Sequence, residues 1–441
     1  MNPELRRNLW LELSMHRLVA MPVVLALVLA LVSARSSAPW PLVFDVALWA
    51  LVALLHVWGA RNAVDAVTEE VRDRTWDGQR LSSLGPWEMT WGKLFGATAF
   101  AWYGAAWCLA AMALARALEP RDPAFGWTAL ALVGSAIALH GAALASSLQA
   151  ARKDSRAGAR IGVLAIVILA FFTAFGIRGP WSAAREVSWY GGTFERMPFL
   201  ALSAAAFAAW AVLGAWREMS RELKEHALPW AYPAFAIFLG AYFAGFVDTD
   251  AEGFVRAGIL FTFLAAVGFV YVGLFADVTT AMTLRRVATS WRSGRHRRAI
   301  EQAPYWVSAL VLAAVFAVGV ALAPPPAPPN LVQGRAWPGA YPALVLLLGA
   351  ARDAGLFVFF ALAPRPRRVE TAALLYIVLL WWVVPGLLDV FGLEGVAQAI
   401  RPIGLPGWQG ALVMAVHVAV AWGAVAWRWR RIIFAFPEVK P

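Results

Sequence analysis

Runs of about 20 consecutive apolar residues recur from one end of this chain to the other. Each is long enough to cross the roughly 30 Å hydrocarbon core of a bilayer as a helix. Of the 441 residues, 61% are hydrophobic and only 15% charged, against roughly 45–50% and about 25% in soluble domains. A water-soluble enzyme is thereby excluded. The formal charge of +11 does not point to nucleic acid, because the basic residues lie scattered between apolar runs and form no continuous patch. The single cysteine, Cys108, sits inside an apolar run, which excludes an internal disulfide framework and a thiolate-rich metal site.

The sequence therefore predicts an all-α polytopic membrane protein. Twelve spans are expected near residues 18–35, 40–60, 94–115, 127–149, 161–177, 198–215, 230–247, 257–276, 305–323, 340–362, 371–390 and 410–427. With both termini on the cytoplasmic side, 28 of the 38 Lys and Arg face inward, 9 face outward and Arg352 falls within a span. That imbalance is the positive-inside pattern of a multi-pass protein of an inner, cytoplasmic-type membrane. Ten spans are the fallback count. The first apolar run is read as a span rather than a secretory signal, because it is long and follows a segment carrying Glu4 and Glu12.

Ahead of that run, Asn2, Pro3 and Glu4 supply a helix cap, a first-turn proline and an acid at the positive end of the helix dipole. Leu5, Leu9 and Leu13 then share a face beside Trp10, which predicts a helix over residues 1–17 lying in the membrane interface rather than a mere polar tail. The longest outward segments, 178–197, 324–339 and 391–409, read as proline-, glycine- and tryptophan-rich connectors, with Pro324, Pro325, Pro326, Pro328 and Pro329 forming a stiff extended stretch.

The most patterned inward loop is 62–93. Val64, Val67 and Val71 recur at helical spacing among Glu69, Glu70, Arg72, Asp73 and Arg74. The expected form is an amphipathic helix, a break at Gly78, and a short helix ending at Gly85 and Pro86. Mixed charges with Trp76, Trp87 and Trp91 favour a protein-docking surface over a solvated connector. Glu70, Arg72, Arg74, Thr75, Leu81, Ser83, Leu84, Pro86, Trp87, Gly92 and Lys93 resemble the corresponding loop in membrane subunits of type 2 ATP-binding-cassette exporters. The likeness covers residues 2–100, and one departure is Arg74, which stands where that family has glycine before Thr75.

The resemblance implies that this loop carries a coupling helix seated in a separate cytoplasmic ATPase subunit, present in two copies. ATP and Mg would be bound by that partner. Docking residues would come from Glu69, Glu70, Arg72, Asp73, Arg74, Thr75, Trp76, Asp77, Arg80, Pro86, Trp87 and Lys93. The chain itself has no phosphate-binding G-x-x-x-x-G-K-[ST] loop, since six residues separate Gly85 from Gly92-Lys93, and Leu94 follows. It is therefore read as a transport subunit that is not itself an enzyme and carries no cofactor or metal.

Residues 228–441 repeat the plan of 18–227: six spans and a long inward loop, here 277–304. Two such halves would be parallel repeats related by an axis along the membrane normal. Trp76, Gly78, Pro86 and Trp87 pair loosely with Trp291, Gly294, Pro304 and Trp306. Either one chain supplies both halves as an internal pseudo-dimer, or the first half is the working unit and the chain forms a homodimer. In the second loop Arg285, Arg286, Arg292, Arg295, Arg297 and Arg298 are opposed only by Glu301, so anionic lipid is an alternative to an ATPase as its counterpart.

Ionisable residues inside spans are costly and need partners or water. Arg352 and Asp353 lie mid-span, His140 in span 4 and His417 in span 12. They are candidates for a translocation path or gate, or else packing groups. Helical neighbours point about 100° apart, so Arg352 and Asp353 are expected to face other spans rather than each other. These residues underlie the rival reading, a secondary transporter coupled to an ion gradient through Arg352, Asp353 and His140. A membrane-embedded transferase would need clustered carboxylates or histidines, which the sequence lacks.

Overall fold

The computed structural model describes residues 2–34, 36–119, 124–153, 185–225, 228–277, 279–323, 340–363, 369–405 and 408–435. The expected fifth span, 161–177, and the proline stretch from Pro324 lie outside the described residues. The chain is almost entirely helical, and among the described residues ten helices are long and apolar enough to cross a membrane. It divides into two compact units: Met1–Val187 with Thr193–Ala227, and Ser188–Gly192 with Leu228–Pro441.

In the first unit, α1 (Pro3–Glu12) begins as the sequence predicts, with the Asn2 carboxamide oxygen accepting from the Glu4 and Leu5 amides at 2.9 and 3.3 Å. Its buried face, however, is the polar one: Glu4 and Asn8 are buried, whereas Trp10 and Leu11 are exposed. Leu5, Leu9 and Leu13 are partly buried, and the polar side lies against a glycine groove. α2 (Met15–Ser33) follows, with no buried residue.

α3 runs unbroken from Pro39 to Arg72. The second span and the amphipathic segment after it are one helix, not two, with a wide π turn at Val52–Trp58. The chain then forms a short α4 (Trp76–Arg80), a turn, α5 (Pro86–Gly96), α6 (Ala99–Leu118) and α7 (Phe125–Lys153). The region expected as a single third span is thus two helices, parted near Thr98. Gly85 and Pro86 start a helix instead of ending one. Proline's fixed φ suits a first helical position, and the Glu88 carboxylate accepts from the Gly85 amide at 3.2 Å.

After two short strands, β1 (Glu186–Trp189) and β2 (Gly192–Glu195), α8 (Arg196–Glu222) closes this unit. The strands replace the expected connector, since Tyr190 and Gly191 both take positive φ, as a tight hairpin turn requires. α3, α6 and α7 share a core of Leu48, Leu51, Leu55, Cys108, Met112 and Leu132. A second core, of Val67, Trp76, Met89, Leu94, Leu144, Leu148 and Met219, packs the loop helices onto α7 and α8.

The second unit contains α9 (Ala231–Ala244), α10 (Ala251–Ala276), α11 (Ala281–Arg292), α12 (His296–Gln302), α13 (Tyr305–Leu322), α14 (Ala340–Ala361), α15 (Val369–Val390), α16 (Glu394–Ile400) and α17 (Gln409–Ala435). α9, at 14 residues, is shorter than the expected seventh span. At its end Trp189 Nε1 donates to the Tyr242 carbonyl at 3.0 Å, and the Tyr190 hydroxyl donates to that of Ala241 at 2.6 Å.

Candidate functional site

The residues of the loop after the second span fall into two sets. One set is consumed by the chain itself. Lys93, on α5, is 1% exposed, and its Nζ donates to Glu70 Oε2 at 2.5 Å, Glu4 Oε1 at 3.2 Å and the Ala66 carbonyl at 3.3 Å. Arg7 lies 2.6 Å from Glu70 Oε1 and 3.4 Å from Glu4 Oε2. Two carboxylates and two cations from α1, α3 and α5 thus form a neutral square, buried at Glu4 and Lys93 and open to solvent at Arg7, whose side chain is 42% exposed; buried charge requires such pairing. Gln79 donates to Glu70 Oε1 at 2.6 Å, and the Lys93 ammonium stands 5.1 Å from the Trp76 ring.

Backbone approach makes the square possible. A Cβ on Gly92 would lie 2.6 Å from Glu4 Cβ, and one on Gly96 would lie 2.7 Å from Asn8 Cβ. These two glycines, one helical turn apart, let α1 lie directly on α5. Asn8 Nδ2 donates across the contact to Glu4 Oε1 at 3.1 Å and to the Gly92 carbonyl at 3.4 Å.

Glu70, Lys93, Trp76 and Pro86, all expected on a docking surface, are therefore internal. Trp76 is 4% exposed, and its Nε1 donates to Glu222 Oε1 at 3.3 Å. The residues that do reach the surface are Glu69, Arg72, Asp73, Arg74, Thr75, Asp77 and Trp87, with Arg80 partly covered. Leu81, absent from the expected docking set, is the most exposed large apolar residue of the segment at 88%. Leu81 belongs to the motif that carries the resemblance, and its place between Arg80 and Ser82 is the sequence signal for an exposed leucine.

The break in the loop lies at Arg74, not Gly78, which is inside α4. Arg74 takes φ +60°; its amide donates to the Val71 carbonyl at 3.2 Å, and the Thr75 amide donates to that of Glu70 at 2.9 Å. This paired arrangement ends a helix through a left-handed residue, a place usually held by glycine. The second unit ends α11 the same way. There the residue is Gly294 at φ +73°, with its amide bonded to the Trp291 carbonyl at 3.1 Å and the Arg295 amide to that of Ser290 at 3.0 Å. Arg74 and Gly294 thus hold the same conformation, each at the end of its helix. Trp76 follows the Arg74 turn, whereas Trp291 precedes the Gly294 turn. In both units a short helix and then a proline-led helix come next. The second loop keeps Arg285, Arg286, Arg292, Arg295, Arg297 and Arg298 exposed.

The intramembrane candidates prove heavily bonded. Contrary to expectation, Arg352 and Asp353 face each other, with Arg352 Nε 2.8 Å from Asp353 Oδ1. Asp353, fully buried, also accepts from the Tyr271 hydroxyl at 2.8 Å and from Trp381 Nε1 at 2.7 Å, while the Arg352 guanidinium lies 4.8 Å from the Trp381 ring. Bending toward each other costs less here than leaving either charge unpaired in the interior. His140 Nε2 bonds the Leu55 carbonyl at 2.8 Å inside the π turn, directly over Gly59, where an added Cβ would lie 2.4 Å from Nε2. His417 is half-buried and bonds the Ala399 carbonyl.

Apolar helices of this number define a multi-pass membrane protein. Neither a protein-family model, nor a curated protein, nor a solved structure matches the chain. Among the described residues there is no group of three or more His, Cys, Asp or Glu placed to hold a metal ion.

Proposed function

We propose that this chain is the membrane permease of an ATP-binding-cassette exporter in an inner, cytoplasmic-type membrane, energised by a separate ATPase. The observation that carries the reading is the charge square of Glu4, Arg7, Glu70 and Lys93. It fastens the interfacial helix α1 to the end of α3 and the start of α5. A lever must not yield at its root, and the square supplies that stiffness, with α4 seated on α7 and α8 through Trp76 and the Leu81 tip exposed. Arg74 fits the reading, since it stands where the resembling family has glycine and its backbone is left-handed, a conformation glycine usually holds at a helix end.

Twelve spans in two parallel six-helix halves remain the architecture that fits the paired loops, with one chain acting as a pseudo-dimer. The docking surface narrows to Glu69, Arg72, Asp73, Arg74, Thr75, Asp77, Arg80, Leu81 and Trp87. The ion-coupled alternative is less favoured, because Asp353 already accepts from three donors and is sealed from water.

The test is co-purification with a candidate cassette ATPase, reading ATP turnover with Leu81→Glu. Loss of roughly tenfold or more in permease-stimulated turnover is expected, the size of an interface hot spot, with thermal stability unchanged. Transport by the chain alone, without any ATPase, would overturn the proposal.

A further inference from the structure

Two helices of the first unit end side by side in strained turns. α3 ends at Arg74 with φ +60°, and α8 ends at Lys224 with φ +59°. The Lys224 turn has the same bonds, its amide to the Arg221 carbonyl at 3.1 Å and the Glu225 amide to that of Ser220 at 2.9 Å. Among the described residues only Arg74, Tyr190 and Lys224 combine a side chain with positive φ. Glycine would close either turn without strain, yet both positions carry a cation, and both line the same cleft.

That cleft has a volume of about 660 Å³ and is walled by Arg74, Arg80, Arg152, Arg221 and Lys224, with Trp76 among its lining residues. This is within the usual range for a small-ligand site, roughly 300–1,000 Å³. Two carboxylates share the lining, Asp77 and Glu222, and both are engaged by Arg80 at 3.4 Å. Arg152 is paired with Glu218. Arg74 and Lys224 have no ion-pair partner among the described residues and are exposed. Backbone strain held at a site is a pointer to function, and here the strain holds two cations at one cleft.

We propose that this cleft binds a phosphate-bearing anion, gripped by Arg74 and Lys224. Guanidinium groups match phosphate oxygens in a planar, paired geometry. The cleft shares Arg74, Asp77 and Arg80 with the proposed docking surface but does not rest on that reading, and its test needs no ATPase. The anion is either free in the cytosol or the headgroup of a lipid at the membrane surface, and the two sources separate experimentally.

The experiment uses the full chain in detergent, with inorganic pyrophosphate titrated by calorimetry. Retained phosphatidylglycerol is counted by mass spectrometry from mixed phosphatidylglycerol and phosphatidylcholine micelles. The informative variant is Arg74→Gly with Lys224→Gly, because glycine relaxes both turns and preserves the fold. Arg74→Asn with Lys224→Asn is a second neutral pair that tolerates the left-handed region. The account predicts binding of at least one probe by the native chain, weaker by about 10- to 100-fold in both variants, at a melting temperature equal to or above the native one. Pyrophosphate binding identifies a soluble anion, and phosphatidylglycerol retention alone identifies a headgroup. Binding of neither probe, or equal binding by native chain and variants, overturns the proposal.

Discussion

Lys93 Nζ lies 2.5 Å from Glu70 Oε2 with 1% of the lysine side chain exposed, so a cation near the end of a membrane-proximal loop is the buried centre of the first unit's loop. Around it, Glu4 and Arg7 balance the charge from a helix more than 80 residues away in sequence. Everything proposed for the exposed part of the loop depends on that anchor.

Removing the Lys93 cation leaves Glu4 and Glu70 with only the solvent-exposed Arg7 to balance them. Lys93→Met is expected to destabilise the chain by about 3–5 kcal/mol, the cost of breaking a buried pair from one side. Combining it with Glu70→Gln recovers part of the loss, giving a coupling energy of roughly 0.5–3 kcal/mol in a thermal-unfolding double-mutant cycle. Additive losses would show that the two side chains do not meet.

The glycine groove makes a steric prediction. Gly92→Ala places a methyl group 2.6 Å from Glu4 Cβ, so α1 must shift. Overpacking of this kind costs about 1–3 kcal/mol. A cysteine pair across α1 and α5 that crosslinks in the native chain is expected to crosslink poorly in this variant.

At the equivalent turn of the second loop, Gly294 holds φ +73°. Gly294→Arg imposes there the strain that Arg74 already bears, about 1–2 kcal/mol, and lowers the melting temperature, whereas Arg74→Gly does not.

The helices were legible in the sequence because a span needs only an apolar run of sufficient length, and the Asn2-Pro3-Glu4 start is local chemistry. The partners of charged residues were not. Glu70 and Lys93 look solvent-facing in a mixed-charge loop, and only the approach of α1 over Gly92 and Gly96 turns them inward. Gly78 drew the predicted break because glycine usually marks one, but the turn is set by which residue ends α3, and that is Arg74. Arg352 and Asp353 were separated by ideal helical angles, while flexible side chains in a low-dielectric interior close the gap.

That pair yields a further expectation. Asp353→Asn leaves the Arg352 charge buried without its counter-ion and is expected to cost about 3–5 kcal/mol, whereas replacing both residues by leucine recovers most of the stability. Permease-stimulated ATP turnover in the double-leucine variant is expected to persist if the pair is structural. Its complete loss in a stably folded variant would assign the pair to the transport path.

The most direct measurement is a photo-crosslinking residue at position 81 in cells. The account predicts capture of a cassette ATPase, identified by its phosphate-binding peptide, and no such capture from a residue placed at the lipid-facing Val24. Crosslinks from position 81 only to lipid or to this same chain, in cells where transport is active, would contradict it.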